Sequence, residues 1–178
     1  CLRNITEQSL PADTKFDIYI VDGGSTDGTV ESVKTQFPHV NIKTVDGVFW
    51  NRGMIEAWKM AEEKKRNGCN YDYYLWLNDD TFIYKDCIAS LLRVSLLKKN
   101  RTIVLGSTVD TQTRSKLTYG GRDKTGKVAR PSSDDSPVPV IMMNGNIVLV
   151  PHSVYKKLGT LDPYYTHARG DFDYGLRA

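Results

Sequence analysis

Tyr73-Tyr74-Leu75-Trp76-Leu77-Asn78-Asp79-Asp80 is an apolar, aromatic run that breaks off into an amide and two carboxylates. Tyr73 to Leu77 has the length and composition of a buried strand. Ligands of an open α/β sheet bind beyond the carboxyl ends of its strands, so the acids stand where chemistry is expected. Oxygen donors of this kind suit a hard divalent cation, Mg2+ or Mn2+, which in turn holds phosphate oxygens. The same triplet also reads as the N-cap of a following helix, because Asn and Asp are good caps. On its own it leaves both readings open.

Upstream, Leu2, Ile5 and Leu10 read as the remains of a helix ended by Pro11. Phe16–Val21 is strand-like and runs into the glycine-rich turn Asp22-Gly23-Gly24-Ser25-Thr26-Asp27-Gly28-Thr29. Ser25 or Thr26 is placed to cap the next helix, whose apolar positions are Val30, Val33 and Phe37. Val40–Val45 alternates as a second strand, and Asp46–Gly53 reads as a turn before a helix from about Met54 to Arg66. Downstream of the acidic triplet come a helix over Tyr84–Lys99 and a strand over Ile103–Gly106. This alternation implies α/β architecture with a mostly parallel sheet flanked by helices. Beyond Ser107 the helical period disappears, and Lys116–Tyr119 is expected to pair with Lys127–Arg130 across Gly120–Gly126. Val140–Met143 and Asn146–Val150 are apolar runs, followed by a short helix from Pro151.

At 178 residues the chain is expected to be a single domain, residues 1–178, with a real core. A net charge of +3, with no basic run longer than Lys64-Lys65-Arg66, gives no argument for nucleic acid. No stretch approaches the ~20 apolar residues of a membrane span. Cys1, Cys69 and Cys87 lack metal-ligand spacing, which disfavours a structural zinc and fits a reducing compartment. Both ends look like the interior of a helix, so the sequence reads as a fragment.

Three stretches together resemble the inverting, sugar-nucleotide-dependent glycosyltransferases of family 2, which have the GT-A fold. Val21–Thr29 is similar to the family's V-D-[DN]-G-S-T-D-G-T turn, and Leu77-Asn78-Asp79-Asp80 to its D-x-D position. Gly170-Asp171-Phe172-Asp173-Tyr174-Gly175-Leu176-Arg177 resembles its acidic segment E-D-x-D-x-x-x-R, and Gly47–Gly53 its G-x-x-x-N-x-G. Three departures stand out: Gly23 replaces an acid, Asn78 replaces the first acid of D-x-D, and Gly170 stands where many members have Glu. The family's first strand is absent before Cys1, so the GT-A sheet is expected to lack it.

The resemblance implies transfer of a hexosyl or deoxyhexosyl group from a nucleoside-diphosphate sugar to an acceptor hydroxyl, with inversion. Asp80 would bind Mg2+ or Mn2+, and Asp22, Gly23, Asn51, Asn78 and Asp79 the nucleotide sugar. Asp171 would be the general base, since an alcohol is a poor nucleophile until its proton is leaving. Structural alternatives accompany these roles. Asp22 also reads as an Asx-turn, and Asp171 and Asp173 as caps of the last helix paired to Arg169 or Arg177. Trp50 next to a helix start reads as packing, with stacking on a base or sugar as its alternative. His39, His152 and His167 form no metal constellation, although His167 lies close to the acidic segment.

Residues 1–106 would form the nucleotide-binding half and 107–178 the acceptor-side half. The expected acceptor is a carbohydrate or a lipid-linked sugar, and the expected setting is the cytoplasm, at the inner face of the membrane, in cell-envelope polysaccharide assembly. A nucleotidyltransferase and a non-catalytic nucleotide-sugar-binding domain are the competing readings.

Overall fold

The computed structural model describes residues 1–132, 134 and 136–178. The chain divides into two compact units. The larger comprises Cys1–Ala12, Asp72–Gly159 and Asp171–Ala178, and the smaller Asp13–Tyr71 and Thr160–Gly170.

In the larger unit β3 (Tyr73–Leu77) covers the residues expected of it. Its period of two divides the side chains cleanly. Tyr74 and Trp76 are buried on one face, against Tyr155 at 4.7 Å and Tyr174 at 5.1 Å between ring centroids. Tyr73, Leu75 and Leu77 point the other way, onto a core of Ile83, Ile88, Leu91, Val104, Ile147 and Leu149. That core lies under α4 (Cys87–Leu97) and takes in Ile5 of α1 (Leu2–Thr6) at its margin.

The centre of this sheet is β9 (Ile147–Pro151), buried at every position. It runs antiparallel between β3 and β4 (Val104–Leu105). The expected parallel relation therefore survives only indirectly. β3 and β4 point the same way, as a strand–helix–strand crossover through α4 requires, but a later strand lies between them. Parallel neighbours occur in the smaller unit, where β1 (Tyr19–Asp22) pairs with β2 (Asn41–Thr44) in register Tyr19 to Asn41. α2 (Thr29–Gln36) and α3 (Trp50–Arg66) complete that unit's strand–helix alternation. Among the described residues β1 has β2 as its one strand partner, and β3 has β9.

Two expectations fail for identifiable reasons. α3 begins at Trp50, not Met54, so Asn51 and Gly53 lie inside its first turns. The expected Lys116–Tyr119 hairpin with Lys127–Arg130 does not form. Instead β6 (Leu117–Tyr119) pairs backward with β5 (Thr108–Val109). The turn between them is organised by Asp110, whose carboxylate accepts N–H bonds from Gln112, Thr113 and Lys116. Beyond Gly120 the chain changes partners. β7 (Gly121–Arg122) pairs with β8 (Met142–Met143), and Lys127–Ala129 folds back on Gly121–Asp123 instead of on Lys116–Tyr119, through the Arg122–Val128 bridge, Asp123 N–H to Lys127 O at 3.0 Å and Ala129 N–H to Gly121 O at 2.8 Å. α5 (His152–Leu158) and α6 (Gly170–Arg177) close the list of elements.

Candidate active site

The acidic triplet ends β3 without capping a helix. α4 starts at Cys87, and its first turn is met by the Gln8 side chain, whose Oε1 accepts the Ile88 N–H at 3.1 Å. The Asn78 backbone is pinned instead, its N–H donating to Asn146 O at 3.0 Å and its carbonyl accepting from Thr81 N–H at 3.2 Å. Asp79 and Asp80 are exposed, and among the described residues Asp80 makes a single long contact, accepting from the Thr81 hydroxyl at 3.5 Å. Among the described residues no group of three or more His, Cys, Asp or Glu side chains could by itself hold a metal. The turn thus offers one or two carboxylates and an amide. That donor set fits Mg2+ or Mn2+, which keeps waters and takes phosphate oxygens to complete its shell. After the triplet, Thr81 and Ile83 are buried while the rings of Phe82 and Tyr84 face solvent.

Asp171 is half-buried in the first turn of α6. Its Oδ2 accepts the Gly145 N–H and its Oδ1 the Phe172 N–H, both at 2.9 Å. Burial pushes its carboxyl above the ordinary range, while the two N–H groups and the charge of Arg122 pull partly back. Arg122 was not singled out by the sequence. Its Nε donates to Asn144 Oδ1 at 3.3 Å and its Nη1 to Gly126 O at 2.8 Å, and its guanidinium lies 5.6 Å from the Phe172 ring centroid. A lone arginine in an irregular loop has no periodic signal, and only its place after Gly120-Gly121 marks it.

The rest of α6 is a mount. Tyr174 is fully buried, and its hydroxyl donates to Gly159 O at 2.9 Å. Asp173 accepts from Arg177 Nε at 2.8 Å, and Arg177 Nη1 also reaches Leu158 O. Asp173 therefore holds the helix through Arg177, while Asp171 accepts the N–H bonds of Gly145 and Phe172.

In the smaller unit Asp22 closes β1 as an Asx-turn. Its nearly buried carboxylate accepts N–H bonds from Gly24 at 3.0 Å and Ser25 at 3.1 Å. Hydrogen bonds from the Ser25 side chain, and then from backbone, hold it below the ordinary carboxylate range against a cost of burial. Gly23 has a steric reason to lack a side chain, since a Cβ there would lie 2.8 Å from Val48 O. α2 is capped neither by Ser25 nor by Thr26. Asp27 accepts the Thr29 N–H at 3.0 Å and its hydroxyl at 2.6 Å, because Gly28 at the cap position has no side chain to offer.

Asn51 is fully buried, and its Nδ2 donates to Asp162 O at 2.9 Å and Tyr165 O at 2.7 Å. A Cβ on Gly170 would fall 1.7 Å from Asn51 Oδ1, so no larger residue fits there while the amide stays in place. This accounts for Gly170 at the position where an acid was expected. Phe49 and His167 meet edge to face, 5.4 Å between centroids, in the same unit. Neither His39 nor His152 is drawn into this cluster by any described ring or hydrogen-bond contact.

Comparison with known proteins bears on the same residues. The model of the family described as glycosyl transferase family 2 matches residues 1–146. That span includes both acid-bearing turns and Asn51, and it stops short of β9 and of Asp171. No curated protein matches the chain. Among solved structures, the mannosyltransferase PcManGT from Pyrobaculum calidifontis, in complex with GDP-Man and Mn2+, is similar at a TM-score of 0.54 and 18% identity. The likeness covers 90% of this chain and 42% of that one, and at such identity it speaks for the α/β fold.

Proposed function

The chain belongs to glycosyl transferase family 2, and from that premise we propose that it moves a sugar from a nucleoside-diphosphate sugar to an acceptor hydroxyl, with inversion. The observation that carries this reading is Asp171. A carboxylate raised by burial, with both oxygens oriented by N–H donors, is built to take a proton from an attacking alcohol. The N–H donors and, after them, the charge of Arg122 favour the ionised form against that burial. A single base removing that proton as the hydroxyl attacks opposite the leaving group inverts the anomeric carbon.

Asp80 would hold Mg2+ or Mn2+, with Asn78 and Asp79 beside it. When bound, the cation supplies neutralisation of the diphosphate charge that grows as the leaving group departs. The complex of PcManGT with GDP-Man and Mn2+ supports both the metal and a hexosyl donor, as a feature of that protein. Asp22 and Gly23 form a tight, ionised turn at the end of β1, suited to the donor's base and ribose. For Asn51 we propose an indirect part in binding, through the segment Asp162–Gly170 that its amide ties down. On this reading residues 1–106 serve the nucleotide and 107–178 the acceptor, a carbohydrate or lipid-linked sugar of envelope polysaccharide, at the cytoplasmic face of the membrane.

A panel of nucleoside-diphosphate sugars with Mn2+ and a set of sugar acceptors tests the class of reaction. Transfer or slow donor hydrolysis is expected. Tight donor binding with neither would favour a non-catalytic binding domain, and release of pyrophosphate from a nucleoside triphosphate would favour a nucleotidyltransferase.

A further inference from the structure

An amphipathic helix of a soluble unit ordinarily shows solvent a polar face. α4 does not. Ile88, Leu91 and Ser95 are buried, and the flank beside them, Ala89, Leu92, Leu96 and Leu97, is apolar as well, running from Leu92 at the margin of the core to Leu96 and Leu97 in solvent. Leu96 is 62% and Leu97 65% exposed. With Pro11 and Arg93 these residues line an open groove of about 390 Å3.

Along α4 and the turn that follows it, charge has one sign. Arg93, Lys98, Lys99 and Arg101 are all exposed, and Cys87–Val109 contains no acid. Asp86 lies at the other end of α4, about 16 Å from Leu97 at 1.5 Å per residue. The turn that carries the bases is held firmly. Lys99 and Asn100 have φ of 56° and 54°, and Asn100 Oδ1 accepts from Tyr73 Oη at 2.8 Å and Ser95 Oγ at 3.0 Å.

We propose that this end of α4 is a docking surface for an anionic lipid bilayer, with Leu96 and Leu97 entering the interface and the four bases lying among the headgroups. Apolar side chains ringed by Lys and Arg are the chemistry of an interfacial helix, and bases near a negative leaflet add attraction one by one. A second copy is a poor occupant, because a two-fold contact through this face would set the four bases against four more. The proposal does not depend on the role of Asp171.

The test is sedimentation of the protein with phosphatidylcholine vesicles, with and without phosphatidylglycerol. Binding is expected to the anionic vesicles only, weakening with salt. Lys98→Gln with Lys99→Gln should lower partitioning ~30-fold, at about fivefold per base. Leu96→Ser with Leu97→Ser should also lower it, with an unchanged melting temperature because both side chains are already in solvent. No binding to anionic vesicles, or wild-type binding by both double variants, overturns the proposal. So does concentration-dependent dimerisation that the leucine variant abolishes in a protein that ignores vesicles.

Discussion

After β1 the Asp22 carboxylate is nearly buried and is consumed by the N–H groups of its own turn, whereas after β3 Asp79 and Asp80 stand in solvent with no turn to build. Both strands end in acids, which the sequence reads as a donor contact or Asx-turn at Asp22 and as a metal site or helix cap at Asn78-Asp79-Asp80. The difference lies in the residues after each acid. The N–H groups of Gly24 and Ser25 need an acceptor, and the Asp22 carboxylate supplies it. The Asn78–Thr81 turn satisfies itself through backbone, with Asn146 O and Asn78 O as acceptors, and leaves the carboxylates available. Asp171 is intermediate, taking N–H bonds like Asp22, but its burial outweighs them and raises its carboxyl, whereas at Asp22 the hydrogen bonds outweigh burial and lower it.

The contrast among these acids breaks most visibly at Asp171. Asp171→Asn keeps the size of the side chain and one of its two accepted N–H bonds, so donor affinity should hold while transfer falls by at least ~10²-fold. Asp80→Ala comes next. Titration with a nucleoside diphosphate and Mn2+ should show affinity reduced by ~10- to 100-fold, with no change in melting temperature, if Asp80 is a ligand and not part of the fold. Asp22→Ala should lower stability as well as donor affinity. Two turn N–H groups lose their acceptor, which costs about 1–3 kcal/mol in denaturant unfolding.

The Asp22 effect also has a pH signature. Its folded carboxyl lies below the unfolded value of 3.8, so its contribution is present above that pH and is lost as pH falls through the folded value. Asp171 has the reverse sign, its stability cost appearing as pH rises through its raised value. The smallest effect belongs to Asp173→Ala, which removes a partly exposed pair four residues apart and should cost about 0.2–1 kcal/mol with turnover retained.

Legibility in the sequence depends on how local each signal is. β3 was readable to the residue because five apolar side chains end against three polar ones. The first turn of α3 was not, since Asn51 and Gly53 look like loop residues until the partners of Asn51 at Asp162 and Tyr165 are seen. The same long-range contact explains Gly170, which sequence could register only as a departure. Strand direction in the larger unit was half legible. Alternation made β3 and β4 co-directional, but nothing local announces that β9 comes back between them. Arg122 acts through position alone and left no trace.

That Asp171 is the proton acceptor is tested most directly by the pH dependence of transfer, measured on the wild type beside Asp171→Asn. The rate in the wild type should rise with pH along a limb set by a carboxyl above the ordinary range, and the variant should lose that limb along with its turnover. A variant that transfers sugar at the wild-type rate at neutral pH, on the same limb, would contradict it.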